Sequence, residues 1–514
     1  MKIGTPLWSL AFVLVVNGAS AQVRGTCGVM DPTPLLERVT IHQKTLAEAS
    51  VQARSSVPKY VPVTFILVAD VNGNGRIAEE KVLEQLAKLN YYYAPQEMIF
   101  YIEDTLRHLN HNLAYTDPSH NTSIFQMKIA KDPNSMNVYI PQNATTTGES
   151  PGVTLGFYSP MNDWIVIRKD EVSASNNTLA HEVGHFFGLP HPHSGWECEP
   201  YDEAIHGNPV SSLWSPCNGS LRVEFQNGTN CLLSGDRICD TSPDYNFGFG
   251  WSVSGDQCAE YTPQIMDPNG DLVEVTENNH MAYFIGCDDY MFTTDQKGLI
   301  QADFFSADRN YLRSDYVPIQ DSVDNNVVYN YPINNEETPT FDNVDLDWED
   351  VPGATDYLVI IARNSAFSIT PQRVIVSESF LTIEALTPNV NYFWRVWPFN
   401  QSQTGAGWAP TQVFHTGLSS GVKTITTVDR FDVFPNPASS GQALNVVVQS
   451  STAFDGEFTL HDMMGKVIQR TTHHIDAGRI IQIPFTLESI VPGLYFLKVR
   501  SSEGGILTKK VSFQ

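Results

Sequence analysis

The segment His181-Glu182-Val183-Gly184-His185-Phe186-Phe187-Gly188-Leu189-Pro190-His191 constrains the fold more than any other part of the chain. Imidazoles four residues apart project from one face of a helix and can share one metal ion. Glu182, beside them, is placed to take a proton from a metal-activated water. Gly188 can adopt the left-handed conformation that ends a helix, and Pro190 forbids its continuation. The chain therefore turns sharply and brings His191 back as a third ligand. Three protein ligands leave a fourth position open, which marks a catalytic rather than a structural zinc site. Asn176 or Asn177 is the expected N-cap, and Leu179, Ala180, Val183 and Phe187 are expected to face a core. His193 is a rival imidazole, but the spacing from Gly188 favours His191, leaving His193 behind the ligands or in solvent.

The surrounding sequence supplies a scaffold for such a helix. Tyr60 to Val68 reads as a strand, and Val82, Leu83, Leu86 and Leu89 fall at helical spacing within Glu79 to Leu89. Strand-like runs recur at Met98–Ile102, Met136–Ile140 and Trp164–Ile167, so residues 55–307 are expected to form a mixed α/β domain, a sheet backed by helices. The turn Asp70-Val71-Asn72-Gly73-Asn74-Gly75 matches the first half of an EF-hand loop. Its twelfth position is Lys81 rather than a bidentate glutamate, so it reads as a Gly/Asn turn. After about Ala307 helical periodicity disappears. A polar linker is expected over 308–337, followed by two all-β domains at 338–418 and 428–514. Three domains suit a length of 514 residues.

At the other end, Lys2, the apolar run Leu7 to Val16 and Ala19-Ser20-Ala21 form an expected signal peptide over residues 1–21. No later segment approaches the roughly 18 apolar residues that a membrane span needs. An exported chain permits disulfides, and the sequence has seven cysteines. Basic residues number 31 against 57 acidic, a net charge of −26, so nucleic acid and anionic lipid are poor partners. Between residues 22 and 54, Leu35, Leu36, Val39 and Ile41 suggest one modest amphipathic helix.

The long histidine motif resembles that of the metzincin zinc peptidases, which also carry a downstream Met-turn. Asn278-Asn279-His280-Met281-Ala282-Tyr283, with Cys287, Met291-Phe292-Thr293 and Gln296 after it, looks like the pappalysin branch. So does Gly235-Asp236-Arg237-Ile238-Cys239-Asp240-Thr241-Ser242-Pro243, although its proline falls one position later than usual. The resemblance spans roughly residues 27–305. It implies a metzincin-type catalytic domain, a twisted sheet with an active-site helix. It makes Met281 an apolar floor beneath the zinc and gives Tyr283 a share in holding the oxyanion. It also implies calcium near Asp236, Asp240 and Thr241, and a Cys258–Cys287 disulfide beside the Met-turn. Branch members that cut before Arg or Lys carry acidic residues after the tyrosine. This chain has Phe284-Ile285-Gly286 there, so an apolar preference is expected.

Cys27, in Arg24-Gly25-Thr26-Cys27-Gly28-Val29-Met30-Asp31, resembles the cysteine-switch segment of metzincin zymogens, in which a thiolate takes the open zinc position. Residues 22–54 then read as a propeptide, removed by a cut after Arg54, and Cys198, Cys217, Cys231, Cys239, Cys258 and Cys287 remain to pair. Leu346-Asp347-Trp348-Glu349 and Tyr392-Phe393-Trp394-Arg395-Val396 resemble strands of a fibronectin type III domain. Phe434-Pro435-Asn436-Pro437-Ala438 and Gly493-Leu494-Tyr495-Phe496-Leu497-Lys498-Val499 resemble the C-terminal sorting domain of the type IX secretion system of Bacteroidetes-type bacteria. The expectation is a secreted or surface-held zinc endopeptidase acting on proteins or peptides. The competing expectations are a surface adhesin on an inactive scaffold and a zinc hydrolase of non-peptide bonds.

Overall fold

The computed structural model describes residues 25–28, 31–48, 58–144, 153–249, 251, 258, 260–419, 425, 427–439, 441–463, 465–485, 490–502 and 505–514. The expected signal peptide and the cut after Arg54 lie outside these residues. The chain divides into two compact units, residues 1–322 with 399–405, and residues 323–398 with 406–514. Among the described residues, no helix is long and apolar enough to cross a membrane.

The first unit is built on a seven-stranded sheet of β1 (Gly25–Cys27), β2 (Lys59–Ala69), β3 (Met98–Ile102), β4 (Arg107–Asn110), β5 (Met136–Ile140), β6 (Val153–Ser159) and β7 (Trp164–Ile167). Its order is β1-β6-β7-β5-β2-β3, with β4 also on β2. β6 runs antiparallel to β7, and the other pairs are parallel. β2 is central and buried on both faces, which is why its sequence reads as a continuous apolar run rather than an alternation.

The helices are α1 (Thr33–Glu48), α2 (Glu79–Tyr93), α3 (Asn112–Thr116), α4 (Asn121–Ala130), α5 (Thr178–Phe186), α6 (Glu203–His206) and α7 (Thr294–Phe304). α2 runs one turn beyond Leu89 because Tyr92 and Tyr93 are also buried, and the Tyr93 hydroxyl donates to the Ala180 carbonyl of α5 at 3.0 Å. In α1, Leu35, Leu36 and Val39 are buried as expected, but Ile41 is 61% exposed. His42 turns inward in its place, because its Nε2 meets the buried Asp303 carboxylate of α7 at 2.8 Å. In the 70–75 turn, Asp70 Oδ1 accepts from the backbone N–H groups of Asn72 and Asn74, so that carboxylate closes its own loop.

The second unit contains two β-sandwiches. The first packs a three-stranded sheet against a five-stranded one around Trp348, Tyr357 and Trp394. It draws Tyr329–Tyr331 and Glu336–Glu337 from the stretch read as linker: the former pairs with Val344–Trp348 and the latter with Gln412–His415. The second sandwich packs three strands against four around Phe458, Leu460, Phe485, Leu497 and Val511.

Candidate metal centre

α5 carries the centre, and its sequence explains its placement. Leu179, Ala180, Val183 and Phe186 bury one side, while Gly188 at φ +84° ends the helix and reverses the chain toward His191. Asn177 occupies the N-cap position, but its side chain makes no cap hydrogen bond. Its amide instead donates to the His280 carbonyl at 3.2 Å and so ties the helix start to the segment before Met281.

The three motif histidines converge. Their Nε2 atoms lie 3.0, 3.1 and 3.2 Å apart. His181 Nδ1 meets the His280 carbonyl at 2.8 Å and His185 Nδ1 meets the Leu189 carbonyl at 2.7 Å. A carbonyl accepts only, so both rings carry their proton on Nδ1 and turn an Nε2 lone pair inward. Burial lowers His181 to about 4 and holds His185 and His191 well below the usual range, so all three are neutral at neutral pH. Converging lone pairs repel unless a cation sits among them. A tetrahedral zinc at its ordinary bond length would separate ligand nitrogens by about 3.3–3.4 Å, so the spacing and donor set fit zinc.

Cys27 completes the cluster. Its ligating atom and those of the three histidines all lie within 4.8 Å of one another. β1 is the edge strand and lays this residue along β6, with Gly28 N–H donating to the Gly156 carbonyl at 2.9 Å. The Cys27 thiol lies 3.6 Å from Glu182 Oε2. Glu182 is fully buried, and burial pushes its carboxyl up to about 8. Gly156 makes room for it: a Cβ there would come within 3.2 Å of the Glu182 carboxylate.

Met281 is fully buried beneath α5. A Cβ on Gly184 would lie 2.3 Å from Met281 Sδ, so glycine between His181 and His185 permits this approach. Gly184→Ala is expected to cost about 1–3 kcal/mol through overpacking, read as a lower urea midpoint; an unchanged midpoint would mean that Met281 moves freely. Tyr283 packs its ring 5.0 Å from that of His191, and its hydroxyl donates to the Cys27 carbonyl at 3.3 Å. Burial, then Cys27, Glu197 and Glu182, hold that hydroxyl well above its usual pKa, so it stays a donor. His193 is fully buried and stacks on His191 at 4.5 Å, outside the ligand cluster.

The acidic segment separates into two parts. Asp236 and Thr241 meet at 2.9 Å, whereas Asp240 accepts from Thr293 Oγ1 at 2.6 Å and from Asp295 N–H at 2.8 Å, at the start of α7. Glu224, unremarked in the sequence, lies beside Asp236. Both are buried: burial and then the Asp236 charge raise the Glu224 carboxyl, while burial and then Asp240 raise that of Asp236. The disulfides are Cys198–Cys217, Cys231–Cys239 and Cys258–Cys287. After the tyrosine, Phe284 belongs to a core with Trp196 and Tyr245, and Ile285 is exposed.

Residues 432–514 match the secretion system C-terminal sorting domain. That domain makes this a type IX-secreted chain of Bacteroidetes type. The chain is 27% identical over 228 residues to an extracellular metalloprotease of Colletotrichum graminicola, covering 40% of this chain and 78% of the relative. It is 24% identical to extracellular metalloprotease 1 of Coccidioides posadasii, covering 50% of this chain and 85% of that one. An extracellular metalloprotease of Verticillium alfalfae is also 24% identical, with 45% and 75% covered. A solved structure, the FN1–FN3 domains of chicken CNTN1, aligns at 13% identity over 38% of this chain and 69% of that one, with a TM-score of 0.15. The chain is thus an exported relative of extracellular metalloproteases, with a buried histidine cluster able to hold a metal.

Proposed function

We propose that this protein is a zinc-dependent endopeptidase of the pappalysin-like metzincin kind, made as a zymogen. The observation that carries the reading is the convergence of three Nε2 atoms within 3.0–3.2 Å beside the buried Glu182. Bound zinc would supply a Lewis acid that polarises a peptide carbonyl and activates water. Glu182 takes the proton of the attacking water and returns it to the leaving amine. The Tyr283 hydroxyl donates toward the oxygen on which negative charge develops. An extended substrate can add to the edge of β6, where backbone groups hold it in register.

In the zymogen that edge is taken by residues 25–27, and Cys27 stands at the fourth ligand position. Removal of residues 22–54, after a signal peptide of residues 1–21, opens both to substrate and water. Solvent entry, together with a nearby dication, favours the Glu182 carboxylate over its protonated form. Residues 55–307 form the peptidase, 308–337 a linker, 338–418 a fibronectin type III-like spacer and 428–514 the part read by the type IX machinery. Structural calcium is proposed at Asp236, Asp240 and Thr241, with Glu224 adding a second buried carboxyl beside Asp236.

Full-length Cys27→Ala protein is expected to cleave casein without prior processing, while the unsubstituted full-length chain stays latent. Equal latency of the two would remove Cys27 as the lock. The function itself is tested by incubating processed protein with casein and a peptide library and sequencing the products. Internal cuts are expected; retention of intact ligand without cleavage would favour a surface binding protein.

A further inference from the structure

We infer that Glu197 is a positioning residue for His191: its carboxylate accepts the Nδ1–H of the third ligand ring and sets that ring's orientation. The inference rests on the zinc reading above. His181 and His185 each have a backbone carbonyl against Nδ1, but His191 Nδ1 is buried without a hydrogen-bond partner. Glu197 Oε1 is likewise buried without one, and the two atoms face each other at 3.9 Å. A closure of about 1 Å would bring them to the length of a charge-assisted hydrogen bond.

The backbone around Glu197 is fixed on both sides. Trp196 is buried and stacks on Tyr245 at 4.9 Å, and Cys198 is bonded to Cys217. The Cys217 N–H donates to the Gly195 carbonyl at 3.0 Å. The second carboxylate oxygen, Oε2, accepts from the Gly195 N–H at 2.7 Å, which leaves Oε1 directed at the ring. His193 cannot serve instead, because it lies flat on His191 with an interplanar angle of 9°. A stacked ring limits tilt but does not choose the in-plane direction of Nε2; a partner on Nδ1 does.

A carboxylate accepts on both oxygens, so it can serve Gly195 N–H and His191 Nδ1–H together. The isosteric amide of Glu197→Gln can serve only one and turns a donor toward the other. The test compares full-length wild type and Glu197→Gln, loaded first with zinc and then with cobalt. Zinc affinity by chelator competition is expected to fall about 10–100-fold in the variant, with a displaced cobalt d–d band. Equal affinities and superimposable cobalt spectra would overturn the inference. A wild type that takes up no zinc would instead defeat the zinc reading beneath it. Should the variant not fold, the crystal structure of zinc-loaded wild type decides. A Nδ1–Oε1 distance below about 3.2 Å supports the inference, and one that stays beyond hydrogen-bond reach overturns it.

Discussion

Glu182→Ala is expected to slow peptide hydrolysis by the processed protein about 10²–10⁴-fold while its zinc content stays that of wild type. Glu182 sits between His181 and His185 on α5 and is fully buried. Its partners are the Cys27 thiol, which leaves with residues 22–54, and the Tyr158 backbone, so its removal breaks no ion pair among the described residues. His181 and His185 keep their own backbone partners, so the metal remains. A loss of rate with full metal occupancy separates proton transfer from metal binding. Undiminished cleavage by the alanine variant would rule out Glu182 as the base.

Arg309→Met is expected to destabilise the first unit by about 3–5 kcal/mol, because it strands a buried charge. Arg309 is 2% exposed, and its Nε lies 3.1 Å from Asp303 Oδ2. Its guanidinium covers the Phe186 ring at 3.7 Å and donates to the Phe186 carbonyl at the end of α5. One side chain thus joins the last turn of the site helix to α7. Asp303, fully buried, also binds Arg38 at 2.6 Å and His42 at 2.8 Å from α1. Those two contacts belong to the segment proposed to leave on activation, so Arg309 becomes more important in the processed enzyme. The urea midpoint of processed Arg309→Met protein checks this; a change below about 1 kcal/mol would place the residue among ordinary surface ion pairs.

What could be read from the sequence divides along a physical line. The three histidines and Glu182 lie within eleven residues, and helical periodicity with a Gly–Pro stop is enough to bring them together. The apolar run of β2 and the helical spacing of α2 are equally local. Glu197 carries no such signal: it meets His191 only because a disulfide and a stacked tryptophan fold its turn back. The Asn177 side chain serves His280 rather than its own helix, a tertiary contact that overrides the capping preference. Ile41 was expected on the buried face of α1, but Asp303 lies under that helix and draws His42 inward. Tyr329–Tyr331 is too short to alternate visibly, yet Tyr329 packs 4.8 Å from Trp394 and brings its strand into the sandwich.

The central claim is that His181, His185 and His191 hold one zinc ion on which cleavage depends. Adding zinc stepwise to metal-free processed protein and following peptide cleavage tests it most directly. Activity is expected to rise from nothing and to break at one zinc per chain, with no such rise in His185→Asn. Full cleavage by the metal-free protein, or an identical rise in the variant, would contradict the account.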